Sequence, residues 1–245
     1  MDSRRHQEGR DQLDHHAGVT VTRGRLVVFE GPEGAGKTTQ LRLVCDWLAA
    51  HQRSFTGVRE PGGTALGNEI RRMLLEPGRE MNARAEALLF MASRAELIAE
   101  VVKPALARGE LVLADRFFLS TYAYQVVGRG LPFEEVRAAN KLATAGLVPD
   151  LTILLTVPAA IRDARIVARG GADRIESAGD AFHALVERAF NDCAEPAWQS
   201  AHPECGPIAS IDAGGSENDV LDRVTSALTA KLPDLFPAKG DVAHV

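Results

Sequence analysis

The stretch GPEGAGKTTQ, from Gly31 to Gln40, constrains this chain more than any other. It follows the apolar run LVVFE and leads into a segment whose apolar residues recur at helical spacing. The spacing Gly31-x-x-x-x-Gly36-Lys37-Thr38, placed between a strand and a helix, is the P-loop pattern. Its glycines let successive backbone N–H groups converge on one anion at the positive end of a helix. The stretch therefore predicts a site for a nucleoside triphosphate.

Two side chains of this loop have expected roles. Lys37 is expected to reach the outer phosphates, and the Thr38 hydroxyl is expected to ligate Mg²⁺. An ordinary glycine-rich turn is the alternative, but it does not require a lysine and a threonine at these positions. The residues expected to bind ATP are Gly31, Pro32, Glu33, Gly34, Ala35, Gly36, Lys37, Thr38 and Thr39.

Composition limits the class of protein. The 245 residues are 45% hydrophobic and 25% charged, which fits one globular α/β domain or two small ones. The net charge of −5 disfavours a non-specific nucleic-acid binder. The three cysteines lack C-x-x-C spacing, and no apolar run reaches the length of a membrane span. We expect a cytoplasmic protein without a membrane or nucleic-acid partner.

Short apolar runs alternate with helical patterns from Arg25 to about Pro237. This alternation predicts a parallel sheet with helices on both faces. Five strands are expected, at 25–30, 55–60, 110–116, 150–157 and 207–213. Residues 1–24 mix charge, His and Gly without periodicity, so a disordered tail is expected there, and residues 238–245 are expected to be frayed.

A long helix is predicted after Asn82, the candidate N-cap. Phe90 and Arg94 are expected to share the side of this helix opposite to its core stripe. The predicted core stripe consists of Leu88, Met91, Ala92, Ala95, Ile98, Ala99 and Val102.

Six motifs occur in a fixed order along the chain: FEGPEGAGKTTQ (29–40), REPGGT (59–64), LLFMASR (88–94), DRFFLSTYAYQ (115–125), PDLT (149–152) and ARGGADRIES (168–177). In this combination the chain resembles bacterial thymidylate kinases, P-loop nucleoside monophosphate kinases that phosphorylate dTMP with ATP. The resemblance runs from about Val27 to Ala213. It implies a P-loop NTPase fold with a five-stranded parallel sheet and a mobile lid at about 160–180. It also implies Mg²⁺, the substrates ATP and dTMP, and a homodimer.

The resemblance assigns roles around the acceptor phosphate and sugar. Arg116 matches the arginine that grips the acceptor phosphate, and Asp115 matches the acid that organises Mg²⁺ or its waters. Glu33 matches the acid that meets the 3′-hydroxyl. Arg59 and Pro61 match the loop that lines the acceptor phosphate.

The resemblance also assigns a base pocket. Phe90 matches the ring that stacks on thymine, Arg94 the donor to its O4, and Thr121 the residue at its N3 edge. Tyr124 matches the aromatic residue packed against the 2′ carbon of the sugar, and Gln125 belongs to the same substrate-binding stretch.

The lid stretch supplies three further arginines by resemblance. Arg165, Arg169 and Arg174 are expected to neutralise charge on the transferring phosphoryl group, together with Lys37 and Arg116. Val167 departs from the family pattern, because related lids often carry another base there.

Two alternatives remain open on sequence alone. One is a P-loop kinase for another small acceptor, such as dUMP or a deoxynucleoside. The other is a nucleotide-binding switch without catalytic activity, since a P-loop by itself does not define a reaction.

Overall fold

The computed structural model describes residues 23–170 and 173–237, and only the backbone of Arg169. The expected tail and frayed C-terminus therefore lie outside the described residues, apart from residues 23 and 24. All five predicted strands form, within one residue of the expected bounds at each end. The strands are β1 (Arg25–Glu30), β2 (Phe55–Arg59), β3 (Leu111–Asp115), β4 (Leu151–Thr156) and β5 (Ile208–Asp212).

The five strands form one parallel sheet in the order β2-β3-β1-β4-β5, which confirms the predicted fold class. The chain passes from β1 to one side of the sheet and later crosses to the other side, so β1 lies at the topological switch point. In the register, Phe29 of β1 pairs with Asp115 of β3. The carboxyl ends of these two strands therefore meet at one edge, where ligands of such sheets bind.

Helices cover both faces of this sheet. Two π-helical segments, Ile98–Val102 and Tyr122–Gly128, also occur. The described helices are α1 (Lys37–Ala50), α2 (Ala65–Leu75), α3 (Ala83–Leu97), α4 (Lys103–Ala107), α5 (Phe118–Thr121), α6 (Phe133–Thr144), α7 (Ala159–Arg169), α8 (Asp180–Cys193), α9 (Pro196–Ala201) and α10 (Glu217–Lys231). Among them we find none with both the length and the apolar character required to cross a bilayer.

Alternating residues of the central strands build two cores. Val28, Val112 and Leu154 pack on one face with α4 and α8, whereas Phe29 and Leu113 pack on the other with α1 and α10. Burial on both faces explains why the central strands are continuous apolar runs. It also gives the sheet a rigid edge on which loops can be held.

The predicted core stripe of α3 is wrong in part. Asn82 does cap the helix, because its side chain accepts a hydrogen bond from the backbone N–H of Arg84. However, Leu88 is 62% exposed, and Ala92 and Ala99 are also exposed. The buried residues of α3 are Glu86, Ala87, Met91, Ser93, Arg94 and Leu97. Apolar periodicity pointed to the wrong face because three buried residues of this helix are polar or charged.

Leu228 tests the packing of α10 on the sheet. It is fully buried, so Leu228→Ala leaves a cavity and should lower the free energy of unfolding by about 2–5 kcal/mol. Leu185→Ala on α8 is the control, because that side chain is 44% exposed and its loss should cost about 1 kcal/mol or less. Urea denaturation measures both; equal losses in the two variants would contradict the assignment of this core.

Candidate active site

The P-loop lies at the carboxyl end of β1, between that strand and α1. Gly31 has φ 138°, and a Cβ there would lie 2.3 Å from the carbonyl oxygen of Leu155 on the neighbouring strand. Only glycine fits this approach. α1 begins after Gly36, and none of the described side chains caps its first turn. Its N-terminal amides are therefore left to bind an anion.

Lys37 is buried within this loop. Its Nζ donates to the carbonyl oxygens of Gly31 at 3.0 Å and Pro32 at 2.7 Å. Burial, and then the nearby charge of Arg116, lower its pKa to about 8, against opposing effects of Glu33 and other carboxylates. The ammonium group is thus held by carbonyl oxygens of the loop that is predicted to bind the outer phosphates, and phosphate oxygens can replace these acceptors.

Thr38 and Asp115 connect the P-loop to β3. The Thr38 hydroxyl donates to Asp115 Oδ2 at 2.6 Å, so a hydroxyl oxygen and a carboxylate lie side by side at the sheet edge. Mg²⁺ prefers such oxygen ligands and is usually held by one or two protein groups plus phosphates and waters. These two residues fit the magnesium site expected of them.

Arg116 has an unusual backbone conformation. Its φ of 78° lies in the left-handed region, which a non-glycine residue adopts at a cost. The buried carboxylate of Glu30 supports the turn by accepting from the N–H of Phe117 at 2.7 Å and the hydroxyl of Ser120 at 2.6 Å. The turn directs the guanidinium of Arg116 back over the P-loop, where it contacts Glu33 at 3.1 Å.

A cavity of about 510 Å³ brings most of the predicted site together. Gly31, Pro32 and Arg174 do not line it, although Gly31 and Pro32 shape the loop beneath it. The predicted residues that do line it are Glu33, Gly34, Ala35, Gly36, Lys37, Thr38, Thr39, Arg59, Pro61, Phe90, Arg94, Asp115, Arg116, Thr121, Tyr124, Gln125 and Arg165.

Phe90 and a fixed guanidinium, that of Arg94, form part of the cavity wall. Arg94 is buried, and its Nε and Nη2 both lie 2.6 Å from Glu60. Nη1 donates to Thr121 and to the amide oxygen of Asn140, and Nη2 donates to the carbonyl oxygen of Phe117. Arg94 is therefore a rigid part of the wall. A carbonyl oxygen of a nucleobase at this wall would have to share an N–H of Arg94 with one of these protein acceptors.

The lid arginines occupy different places. Arg165 lies beside the P-loop and donates to the carbonyl oxygens of Gly34 at 3.4 Å and Ala213 at 3.0 Å. Arg174 instead donates to Glu86 at 2.7 Å and to the carbonyl oxygen of Leu74 at 2.7 Å. The side chain of Arg169 lies outside the described part of the chain. Arg165 and Arg174 are thus not brought together on one phosphate.

Comparisons with known proteins agree with this geometry. The family model described as thymidylate kinase matches residues 29–202. The chain belongs to the thymidylate kinase family. It is 44% identical to a thymidylate kinase of Chromobacterium violaceum, over 82% of this chain and 91% of that protein. It is 40% identical to a thymidylate kinase of Deinococcus radiodurans, over 86% of this chain and 99% of that protein.

Several charged residues that line the cavity of this thymidylate kinase family member were missed from the sequence, and two of them, Arg71 and Glu60, contact predicted site residues. Arg71 lines the cavity near Arg59 and donates to the carbonyl oxygen of Pro61 at 2.9 Å. It shares a face of α2 with the buried Ile70 and Leu74, so helical periodicity could have identified it. Glu60 stands within REPGGT, but nothing in the sequence indicated that it pairs with Arg94, 34 residues later.

The lowered pKa of Lys37 predicts a pH dependence of ATP affinity. Above about pH 8 the free protein loses the proton from Lys37, whereas bound polyphosphate favours the charged amine. Binding then requires proton uptake, so the affinity for ATP should fall by up to about tenfold per pH unit above pH 8. Below pH 8, Lys37 should not make the affinity depend on pH.

Calorimetry with a non-hydrolysable ATP analogue between pH 7 and 9.5 measures this dependence. Lys37→Arg is the control, because a guanidinium stays charged throughout this range. A constant affinity in the unmodified protein, or an equal decline in the arginine variant, would contradict the assignment.

Proposed function

We propose that this chain transfers the γ-phosphoryl group of ATP to dTMP, giving ADP and dTDP. One observation carries the proposal: a single cavity joins Lys37 of the P-loop and Arg116, which reaches over that loop from the end of β3, to a wall formed by Phe90 and Arg94. A phosphate-bearing pyrimidine fits such a cavity, since the ring supplies a stacking surface and the guanidinium a planar donor. Membership of the thymidylate kinase family supports the same acceptor.

In the proposed reaction a phosphate oxygen of dTMP attacks the γ-phosphorus in line. The bond from phosphorus to the bridging oxygen of ATP breaks, and ADP leaves. The nucleophile is already an anion, so no strong general base is needed. Catalysis then rests on positioning and on charge stabilisation. Lys37 and Arg165 stabilise charge on the donor side, whereas Arg116, Arg59 and Arg71 hold the acceptor phosphate.

Thr38 and Asp115 would hold Mg²⁺ beside the nucleotide phosphates. The ion would neutralise charge on the β- and γ-phosphate oxygens. Arg169 and Arg174 complete the proposed set of lid arginines together with Arg165.

The sugar of dTMP is proposed to lie between Glu33 and Tyr124. A carboxylate can accept the 3′-hydroxyl proton, and Tyr124 can fill the space of a 2′-hydroxyl. Both residues contact Arg116, because Glu33 pairs with its guanidinium and the Tyr124 ring centre lies 5.2 Å from it. The phosphate and sugar subsites therefore share one arginine.

A panel of acceptors tests the proposal. The purified full chain is incubated with MgATP and dTMP, dUMP, dCMP or thymidine, and ADP formation is measured. dTMP should support the highest kcat/KM. Lys37→Ala should lower kcat by at least about 100-fold without lowering the Tm, because it removes a charge needed in the transition state.

Each alternative gives a distinct result in this panel. Faster turnover of dUMP or thymidine than of dTMP would assign another acceptor. Nucleotide binding without turnover of any acceptor would assign a switch. Substantial turnover by the Lys37→Ala variant would refute a kinase that depends on this loop.

We also propose a homodimer formed through the outer surface of α2, α3 and α6, here called the apolar face. Its exposed residues are Leu66, Met73, Leu88 and Leu142, with exposed fractions of 46%, 45%, 62% and 84%. α3 packs against both α2 and α6, so these residues lie on adjoining helices. Single exposed leucines are common, but a group of this kind is typical of protein–protein interfaces. A second copy of the chain is the proposed occupant.

Sedimentation equilibrium tests the dimer. The unmodified chain should sediment as a dimer, and Leu88→Glu or Leu142→Glu should give monomers, because either change places charge in an apolar interface. Leu185→Glu on α8 is the matched control and should remain dimeric. A monomeric unmodified chain at micromolar concentration would contradict the proposal.

We further propose that the protein is cytoplasmic and has no nucleic-acid partner. The three free cysteines Cys45, Cys193 and Cys205 and the net charge of −5 support it.

A further inference from the structure

Glu86 is a buried carboxylate that the proposed reaction does not use. It lies on α3, one turn before Phe90, and is 1% exposed. Arg129 donates to both of its oxygens at 3.1 Å, Arg174 to Oε2 at 2.7 Å, and the amide nitrogen of Gln125 to Oε1 at 3.0 Å. Burial opposes its charge, but these donors hold the pKa of Glu86 below its ordinary value. It is therefore an anion that binds three separate groups.

The contact with Gln125 fixes the orientation of an amide in the cavity wall. A carboxylate only accepts hydrogen bonds, so the NH₂ end of the amide must face Glu86. The amide oxygen is then the atom available to a ligand. Gln125 lines the cavity next to Thr121 and Tyr124. At this point of the wall the base of the substrate therefore faces an oxygen that accepts hydrogen bonds. Such an oxygen suits a base with a ring N–H.

The contact with Arg174 fixes the lid. The backbone N–H of Arg174 donates to the carbonyl oxygen of Leu75 at 3.3 Å, and its Nε to that of Leu74 at 2.7 Å. The lid segment is thereby tied to the end of α2 and, through Glu86, to α3. Its neighbours Asp173, Ile175 and Glu176 line the cavity. The same carboxylate therefore holds both the lid and a side chain of the acceptor wall.

We propose that Glu86 is a positioning residue that couples the lid to the acceptor half of the site. It keeps the Arg174 segment over the cavity and turns the Gln125 amide so that its oxygen faces the acceptor base. The proposal rests on the proposed function, because the acceptor is taken to be dTMP.

Glu86→Gln and Arg129→Met separate this role from simple stabilisation. In Glu86→Gln one oxygen becomes an NH₂ group, so the side chain keeps a single acceptor oxygen and can accept from Arg174 or from the Gln125 amide, but not from both. We expect kcat/KM for dTMP to fall by about tenfold or more, with KM for ATP unchanged. Arg129→Met also removes two hydrogen bonds from Glu86, but Arg129 does not line the cavity, and its guanidinium lies over the ring of Phe182 on α8. Arg129→Met should lower the Tm at least as much as Glu86→Gln does, but it should keep kcat/KM within about threefold of the value for the unmodified chain.

Limited trypsin digestion gives a readout that does not depend on turnover. With ADP and dTMP bound, cleavage between residues 165 and 174 should be faster in Glu86→Gln than in the unmodified chain and unchanged in Arg129→Met. If Glu86→Gln does not fold, Arg174→Gln breaks the lid contact from the other side. It also removes the trypsin site at residue 174, so the faster cleavage is then expected after Arg165 and Arg169.

Two results would overturn the coupling. One is an unchanged kcat/KM and cleavage rate in Glu86→Gln, and the other is an equal kinetic loss in Arg129→Met. An unmodified chain without activity on dTMP would refute the proposed function instead, and digestion with ADP alone would still test whether Glu86 holds the lid.

Discussion

The structure depends on the parallel pairing of β1 with β3. This register sets Phe29 opposite Asp115, so the loops that leave the two strands begin at the same edge of the sheet. The hydrogen bond from Thr38 to Asp115 then joins them directly. With this pairing, 77 residues of sequence separation become a contact between the Thr38 hydroxyl and the Asp115 carboxylate. The rigid, doubly covered sheet holds both loops in place, as preorganised catalysis requires.

Two cations of the site have protein partners that phosphate oxygens can replace. Lys37 is held by loop carbonyl oxygens and Arg116 by Glu33, so neither cation is left uncompensated while buried. Phosphate oxygens can replace these partners without a change of fold. Arg94 differs, because Glu60 and three other acceptors hold it on every side. Lys37 and Arg116 can thus exchange their partners for phosphate, whereas Arg94 stays fixed as part of the cavity wall.

Much of the fold and the position of the P-loop could be predicted from the sequence. The apolar runs of the strands and the glycine spacing of the P-loop are local signals, and both predicted the correct structure. The face of α3 was assigned wrongly because Glu86, Ser93 and Arg94 are buried, whereas periodicity treats polar residues as solvent-facing. The pairs Glu60–Arg94 and Glu86–Arg174 join residues that are distant in sequence, and only the folded chain brings them together.

A crystal structure with Mg²⁺, ADP and dTMP tests the central claim most directly, which is that one sheet edge aligns the donor and acceptor. The β-phosphate should lie on the P-loop amides, the acceptor phosphate within hydrogen-bond distance of Arg116, and thymine against Phe90. An acceptor phosphate bound away from Arg116, or a base that does not contact Phe90, would contradict the account.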